Sequence, residues 1–299
     1  MTVRPSSTME EPAGAAEHLP DPTPAVSICI PVYQGAAFVG RAVHSALAQT
    51  FEDVEIVVRD NGSTDGTSDV VREFTDPRIR LERSDDTVPL PENWNRAVAL
   101  CRAPLVKVVC ADDVLAPDCL ARQVPAMDDP DIALSAGRID MLDEDGRVIV
   151  GNCGVRGLVG THDGQDAVRA IVQHGGNPIG PPISGLFRRS AFDAVGGFDA
   201  DRVFLMDLDL WARLLDHGRF HGVGETVAGY RISASTVSGQ AGREEFRGQR
   251  TFTTELADRW DLPRQDVVRG TVGAYTALAR RLGLVVVSRW RRQRADPAA

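Results

Sequence analysis

Several things are scarce or missing in this chain, and each absence excludes something. The five cysteines, at 29, 101, 110, 119 and 153, form no C-x-x-C pair. Their odd number fits reduced thiols in a cytosol better than a disulfide framework. The even spacing of Cys101, Cys110 and Cys119 lacks the close ligand pairs that zinc sites use. His44, His162, His174, His217 and His221 are scattered without ligand spacing. Positive charge is in deficit: the net charge is -9, which argues against a nucleic-acid binder held by general electrostatics. No apolar core of signal-peptide length opens the chain, and the longest late apolar run, Leu282 to Val287, is far too short to span a bilayer. No internal repeat is visible. What remains is an ordinary cytoplasmic globular composition, 43% hydrophobic and 25% charged over 299 residues, enough for one large domain or two small ones.

The most informative stretch is Val108-Val109-Cys110-Ala111-Asp112-Asp113. It reads as the end of a buried strand spanning Leu105 to Ala111 that runs out into two adjacent carboxylates. A strand sealed on both faces needs a continuous apolar run. Two acids at its carboxyl end are tolerable where that end opens into a crevice holding something cationic, and in open α/β sheets ligands bind in that crevice. A divalent metal carrying a diphosphate would suit the pair. The elements before it agree. Val26 to Tyr33 reads as a first strand with Pro31 at its end, followed by a helix with Val39, Val43, Ala46 and Leu47 at helical spacing. Val54 to Val58 is a second strand ending in the turn-rich loop Arg59 to Thr67, where Asp65 can cap the next helix. Ile79 to Leu81 is a short strand, and a helix from Asn93 stops before Pro104. Strand and helix alternating in this order give a parallel sheet with right-handed crossovers. Three loops then share one carboxyl edge: Pro31–Tyr33, Asp60–Gly62 and Asp112–Asp113.

The second half reads differently. Ile132 to Arg138 and Val148 to Val150 are predicted strands about the turn Asp143 to Gly146. A Gly/Pro-rich loop from His174 to Pro182 precedes a strand at Ile183 to Phe187; such loops usually shape a site. Asp207 to Leu215 reads as a helix, and the chain from Arg243 onward as helical, with Val268, Val272, Tyr275, Ala279, Leu282, Val286 and Trp290 in one stripe. The expected division is a tail over 1–25 too polar and Pro-rich to fold, a first α/β part over 26–125, a second part over 126–240, and a helical extension over 241–299.

Five pieces in this order carry a resemblance: Ser27 to Gln34, Glu55 to Thr67, Ala111-Asp112-Asp113, Gly196-Gly197-Phe198-Asp199, and Asp207 to Arg213. Over roughly residues 26–240 the chain resembles inverting family 2 glycosyltransferases. The resemblance implies the GT-A fold, a Rossmann-like and mostly parallel central sheet flanked by helices, and transfer of a sugar from a nucleoside-diphosphate sugar, with UDP the commonest donor nucleotide, to a hydroxyl acceptor. It implies that Pro31 and Tyr33 line the nucleobase pocket, that Asp60 hydrogen-bonds the base, and that Asp112 contacts the ribose. Asp113 would bind the divalent metal, Mg²⁺ or Mn²⁺, and Asp207 would be the catalytic base. Three positions depart from the family pattern. Met206 stands where a Glu usually precedes the base, Ser233 where a His often ends the late motif, and Cys110 at a position commonly acidic.

Physical reading narrows some roles and leaves others open. Successive side chains of an extended strand point to opposite faces, so Asp112 and Asp113 are not both expected to face the metal. The bland alternative has Asp113 capping the helix near Pro117 to Gln123. Asp60 sits in ordinary Asp-Asn-Gly turn chemistry, Tyr33 could be a core lid or a stacking platform, and Trp94 suits core packing. Arg188 and Arg189 could meet phosphate or flank a strand. Asp207 and Asp209, two apart on a helix, do not share a face; Asp207 lies in the first turn, where an acid is favoured. Asp113 and Asp207 are expected to open into one solvent-accessible cavity. The late arginines from Arg280 to Arg294, with Trp290, fit a peripheral helix on the inner face of a membrane, and equally a lid or dimer helix. Two other functions stay open. One is a sugar nucleotidyltransferase, which should carry a Gly-rich phosphate loop where Pro31 to Gln34 stands. The other is a non-catalytic nucleotide-sugar binder.

Overall fold

The computed structural model describes residues 23–232 and 243–275. The tail over 1–22, Ser233, and the basic segment from Arg280 to Arg294 fall outside the described residues. The elements run β1 (Val26–Val32), α1 (Val39–Leu47), β2 (Val54–Asp60), α2 (Thr67–Arg72), β3 (Ile79–Arg83), α3 (Leu90–Ala99), β4 (Leu105–Val108), β5 (Val114–Leu115) and α4 (Cys119–Gln123). They continue with β6 (Ile132–Leu142), β7 (Val148–Cys153), β8 (Gly160–His162), α5 (Gly164–His174), β9 (Gly185–Arg188), α6 (Arg189–Ala194), α7 (Met206–Leu214), β10 (Arg219–Arg231) and α8 (Arg243–Arg259), and a last helix, α9, over 264–275.

One sheet runs β3-β2-β1-β4-β9-β6-β10-β5, with β7 added beside β6 and β8 beside β10. The first four strands are mutually parallel, as the strand-helix alternation predicts. Every residue of β1 is buried, and its alternation sorts the two cores. Val26, Ile28, Ile30 and Val32 pack toward α1 through Val39, Val43 and Ala46. Cys29 faces the other layer, with Trp94, Ala97 and Val98 of α3. That two-sided burial is why β1 reads as a nearly continuous apolar run. The sheet passes unbroken across the boundary expected near residue 125, through the antiparallel pair β4–β9, where Val106 meets Phe187.

Several elements differ from expectation. β4 stops at Val108, and Ala111-Asp112 form a turn rather than the end of a strand. The strand expected from Ile183 begins at Gly185, after a short 3-10 turn over Pro182–Ser184. β10, thirteen residues long, has no counterpart in the sequence reading. Its glycines 222, 224 and 229 weaken β propensity, yet it is held by parallel pairing with β6. The C-terminal stripe does not face the core in α9: Val268, Val272 and Tyr275 are 63%, 60% and 52% exposed. Among the described residues, no helix is long and apolar enough to cross a membrane.

The helix α7 is placed by its apolar face. Leu208, Leu210, Trp211 and Leu214 are buried, each worth about 1.5–3 kcal/mol on burial. Trp211 lies so close to β9 that a Cβ on Gly185 would come within 2.6 Å of its ring. Its indole N–H donates to the Gly180 carbonyl at 3.0 Å. Asp209 is buried against Arg213, 2.6 Å away, and Arg213 also donates to the carbonyls of Val195 and Gly197. Asp209 therefore fixes the helix to the Gly196-Gly197 turn, and Asp207 alone of the two acids stays clear of an ion pair.

Candidate active site

Because β1, β2 and β4 are parallel, their carboxyl ends open on one edge, and the loops there are cross-tied. The Asn61 N–H donates to the Val32 carbonyl. The Gln34 N–H donates to the Ser63 hydroxyl at 2.9 Å, and the Ala36 N–H donates to Asp65 at 2.9 Å. Asp65 acts on the loop after β1 and on Thr67, while Gly66 takes the N-cap position of α2. Pro31 is buried in β1, opposite Arg59. Tyr33, just beyond it, is 53% exposed; it is no core lid and offers a free ring face over this edge.

Asp60 is fully buried. Its Oδ1 accepts from the Ser63 N–H at 2.9 Å and its Oδ2 from the Ser68 hydroxyl. Both Asp60 oxygens thus accept hydrogen bonds within the loop and the first turn of α2, and Arg83 lies 3.8 Å from Oδ2. The side chain shapes the loop Asn61–Thr67, as Asp-Asn-Gly turn chemistry allows.

The acid pair departs further from expectation. The Asp113 N–H donates to the Cys110 carbonyl at 3.0 Å, closing a tight turn. In a turn the opposite-face rule for strands no longer applies. The Cys110 sulfur and one oxygen each from Asp112 and Asp113 lie within 4.8 Å of one another. Asp113 was expected to open to solvent and is 1% exposed; Asp112 is only partly buried and is the carboxylate nearer the crevice. Asp113 Oδ1 accepts from the Arg231 N–H at 2.8 Å, so the side chain does not cap α4. Its Oδ2 is buried without a hydrogen-bond partner, the Cys110 thiol at its side. Leaving such an oxygen unpaired costs about 1–3 kcal/mol or more. Burial, and then the Asp112 charge, push the Asp113 carboxyl well above the usual range; burial also raises Asp112. Burial and then the charges of Asp113 and Asp112 raise the Cys110 thiol, with a further contribution from Asp207.

That contribution places Asp207 in electrostatic reach of the turn. Asp207 is partly buried in the first turn of α7. Its Oδ1 accepts from the Leu208 N–H at 2.8 Å and its Oδ2 from the Asn177 amide at 3.0 Å. Burial raises its carboxyl to about 6 against these two bonds. Asn177 is itself held by Gly180, donating to its carbonyl and accepting from its N–H, so the Gly/Pro loop after α5 orients the acid.

The family model described as Glycosyl transferase family 2 matches residues 27–196. The chain belongs to that family. An uncharacterized protein of Mycobacterium tuberculosis is 31% identical over 201 residues, 64% of this chain and 62% of its own length; the match thus spans under two thirds of that relative. Among solved structures, S. aureus TarS 1-349 in complex with UDP-GlcNAc superposes with a TM-score of 0.61 at 14% identity, covering 84% of this chain and 72% of that one. The mannosyltransferase PcManGT from Pyrobaculum calidifontis, in complex with GDP-Man and Mn2+, superposes with a TM-score of 0.56 at 19% identity, covering 92% and 85%. The likeness confirms the GT-A fold.

Within this family 2 site, sequence reasoning missed two residues. Asn177 lay inside a loop noted only for its glycines and prolines. Arg231 stands two residues before Ser233 in the late motif, with no local signal to single it out. It donates through Nε to the Asp112 carbonyl at 2.9 Å and through Nη1 to the Asp143 and Glu144 carbonyls at 2.7 and 2.8 Å. Arg188 and Arg189 prove structural: Arg188 donates to the Ile132 carbonyl and Arg189 to that of Cys101. Trp94 packs edge-on against Phe198, centroids 5.2 Å apart.

Proposed function

We propose that this chain transfers a sugar, with inversion, from a nucleoside-diphosphate sugar to a hydroxyl acceptor. The observation that carries the reading is Asp207: a carboxyl raised to about 6, at the head of a rigidly packed helix, whose charge reaches the Cys110–Asp113 turn. A base poised near neutrality suits proton abstraction from an alcohol. Asp207 takes the acceptor's proton on its carboxylate as the acceptor oxygen attacks the anomeric carbon. The bond from that carbon to the diphosphate breaks on the opposite face, and Asn177 holds the carboxylate in line. A cavity of about 370 Å³ between residues 201–205 and Gly248 and Thr251 of α8 lies beside the start of α7, with neither Asp207 nor Asp113 in its lining. Tyr33 stacks on the nucleobase at the far side, beside Pro31.

The Cys110–Asp113 turn fits a divalent ion. Its unpaired Asp113 oxygen and the outward Asp112 carboxylate would hold Mg²⁺ or Mn²⁺, hard ions that take one or two carboxylates with phosphate oxygens. Such an ion neutralises charge on the departing diphosphate. PcManGT, solved with Mn2+, supports this part of the reading, and TarS with UDP-GlcNAc supports UDP as the donor nucleotide.

A thermal-shift series with UDP and GDP, each with and without Mn²⁺, tests it together with hydrolysis of the corresponding nucleotide sugars. UDP at about a hundredfold excess over its Kd should raise Tm by roughly 5–10 °C only when metal is present, and slow metal-dependent release of UDP from a UDP-sugar should follow. Binding without turnover toward any acceptor would instead favour a non-catalytic binder.

A further inference from the structure

The family pattern commonly places an acid where this chain has Cys110. We infer that Cys110 is itself a metal ligand, so that this site prefers ions accepting a sulfur donor, Zn²⁺ and Co²⁺, over Mg²⁺. The inference rests on the reading that the turn holds a divalent ion, and it adds which ion and through which atom.

Three observations support it. The first is placement: Cys110 is partly exposed, and its sulfur shares one 4.8 Å cluster with an oxygen from each of Asp112 and Asp113, a separation one ion can bridge. The second is the buried Asp113 Oδ2, which has no hydrogen-bond partner of ordinary geometry and only the Cys110 thiol interacting with its carboxyl from the side. The third is thin counter-charge: the Arg231 charge acts on Asp112 and Asp113 without pairing with either carboxylate. Among the described residues, no Lys, Arg or His forms an ion pair with the carboxylate of Asp112 or Asp113. The guanidinium of Arg231 goes to the carbonyls of Asp112, Asp143 and Glu144. Two carboxylates and a thiol against one guanidinium, itself committed to backbone carbonyls, leave negative charge that a bound cation would balance.

Chemistry then decides which cation. Mg²⁺ takes oxygen ligands and parts reluctantly with water. Thiolates favour softer ions, and affinity rises from Mn²⁺ through Co²⁺ toward Zn²⁺ for mixed sites. Binding replaces the S–H bond by a metal–sulfur bond and releases the thiol proton to solvent. An acid at 110 would give an all-oxygen site; the thiol gives a mixed one.

The test is titration of the full chain with Co²⁺ under anaerobic conditions, with and without UDP, followed by absorbance and calorimetry. The wild type should show a near-ultraviolet sulfur-to-cobalt charge-transfer band that saturates with binding. Cys153→Ser should keep it, because Cys153, at the end of β7, is not among the clustered donors. Cys110→Ser should lose it and weaken Co²⁺ and Zn²⁺ by about tenfold or more while changing Mg²⁺ affinity by less than about threefold. Cys110→Asp, a second variant in case the serine chain folds poorly, should also lose the band and shift preference toward Mg²⁺ and Mn²⁺. Saturable Co²⁺ binding without the band would overturn the inference and leave metal-dependent donor binding intact. Absence of any binding by Mg²⁺, Mn²⁺, Co²⁺ or Zn²⁺, even with UDP, would overturn both.

Discussion

Asp207→Asn is expected to slow sugar transfer by about 10²–10⁴-fold and, at neutral pH, to make the folded chain more stable. The two effects share one cause. Burial holds the Asp207 carboxyl at about 6 in the folded chain, against roughly 3.9 for an unperturbed Asp. The folded state therefore binds this proton more tightly than the unfolded state. The stabilisation this provides is fully present below about pH 4 and is lost as pH rises through about 6. Above that, keeping the carboxylate ionised at the head of α7 costs up to roughly 3 kcal/mol, less where water reaches its partly exposed edge. Asparagine avoids the charge and is close in size; its single oxygen can accept from Asn177 or from the Leu208 N–H but not occupy both positions, which offsets part of the gain. Urea midpoints of both chains between pH 4 and 8 should coincide at the acid end and diverge in favour of the variant above pH 6. The wild-type rate should fall as pH drops through about 6, because the base must be ionised to act. An Asn variant that transfers at near-normal rate, or is less stable than wild type at pH 7, would remove Asp207 from this role.

Much of the N-terminal half was legible because local signal and tertiary need coincide there. β1 is a nearly continuous apolar run, β2 carries Val54, Ile56, Val57 and Val58 beside buried Glu55 and Arg59, and α1 carries its buried stripe at the spacing Val39, Val43, Ala46. Trp94 was correctly suited to the core. α7 could be located from Leu208, Leu210, Trp211 and Leu214; Asp207 was singled out by the family resemblance, and the structure adds that Asp209 is committed to Arg213. What sequence could not show were the contacts made across long separations. Asp113 looked exposed because nothing in Ala111-Asp112-Asp113 announces that a backbone N–H 118 residues away would seal it. Asp60 looked free because turn chemistry does not reveal that Ser68 takes its second oxygen. β10 was hidden by its glycines, whose cost in β propensity is offset by pairing with β6 that no local window contains. The Cys110–Asp113 turn was misread as strand because the run through Ala111 is as apolar as β4 itself.

Arg231→Ala is expected to produce the largest loss of stability of any single change near this site, about 3–4 kcal/mol. Arg231 is 2% exposed and joins three segments that touch nowhere in sequence. Its guanidinium donates to the carbonyls of Asp112, Asp143 and Glu144 and lies 5.4 Å from the centre of the Phe38 ring. Truncation leaves three buried or half-buried carbonyls without a charged donor and removes a cation–π contact, each worth a fraction of a kcal/mol to about 3 kcal/mol. The backbone N–H that holds Asp113 survives any substitution at 231, so Asp113 stays oriented while Asp112 loses its anchor. That separation makes the effect diagnostic. Arg231→Lys keeps the charge and most of the stem, but an ammonium is a point donor and cannot reproduce the fork, so it should recover only part of the stability. Both variants should also weaken the Mn²⁺-dependent shift with UDP, and by more than their lower Tm alone would give, because the outward carboxylate of Asp112 is no longer held over the turn. Equilibrium unfolding in urea supplies the first readout and nucleotide titration with and without Mn²⁺ the second. An Arg231→Ala chain within about 1 kcal/mol of wild type, with its metal-dependent nucleotide binding unchanged, would mean that the turn stands without this staple and that Asp112 is positioned by the Cys110–Asp113 hydrogen bond alone.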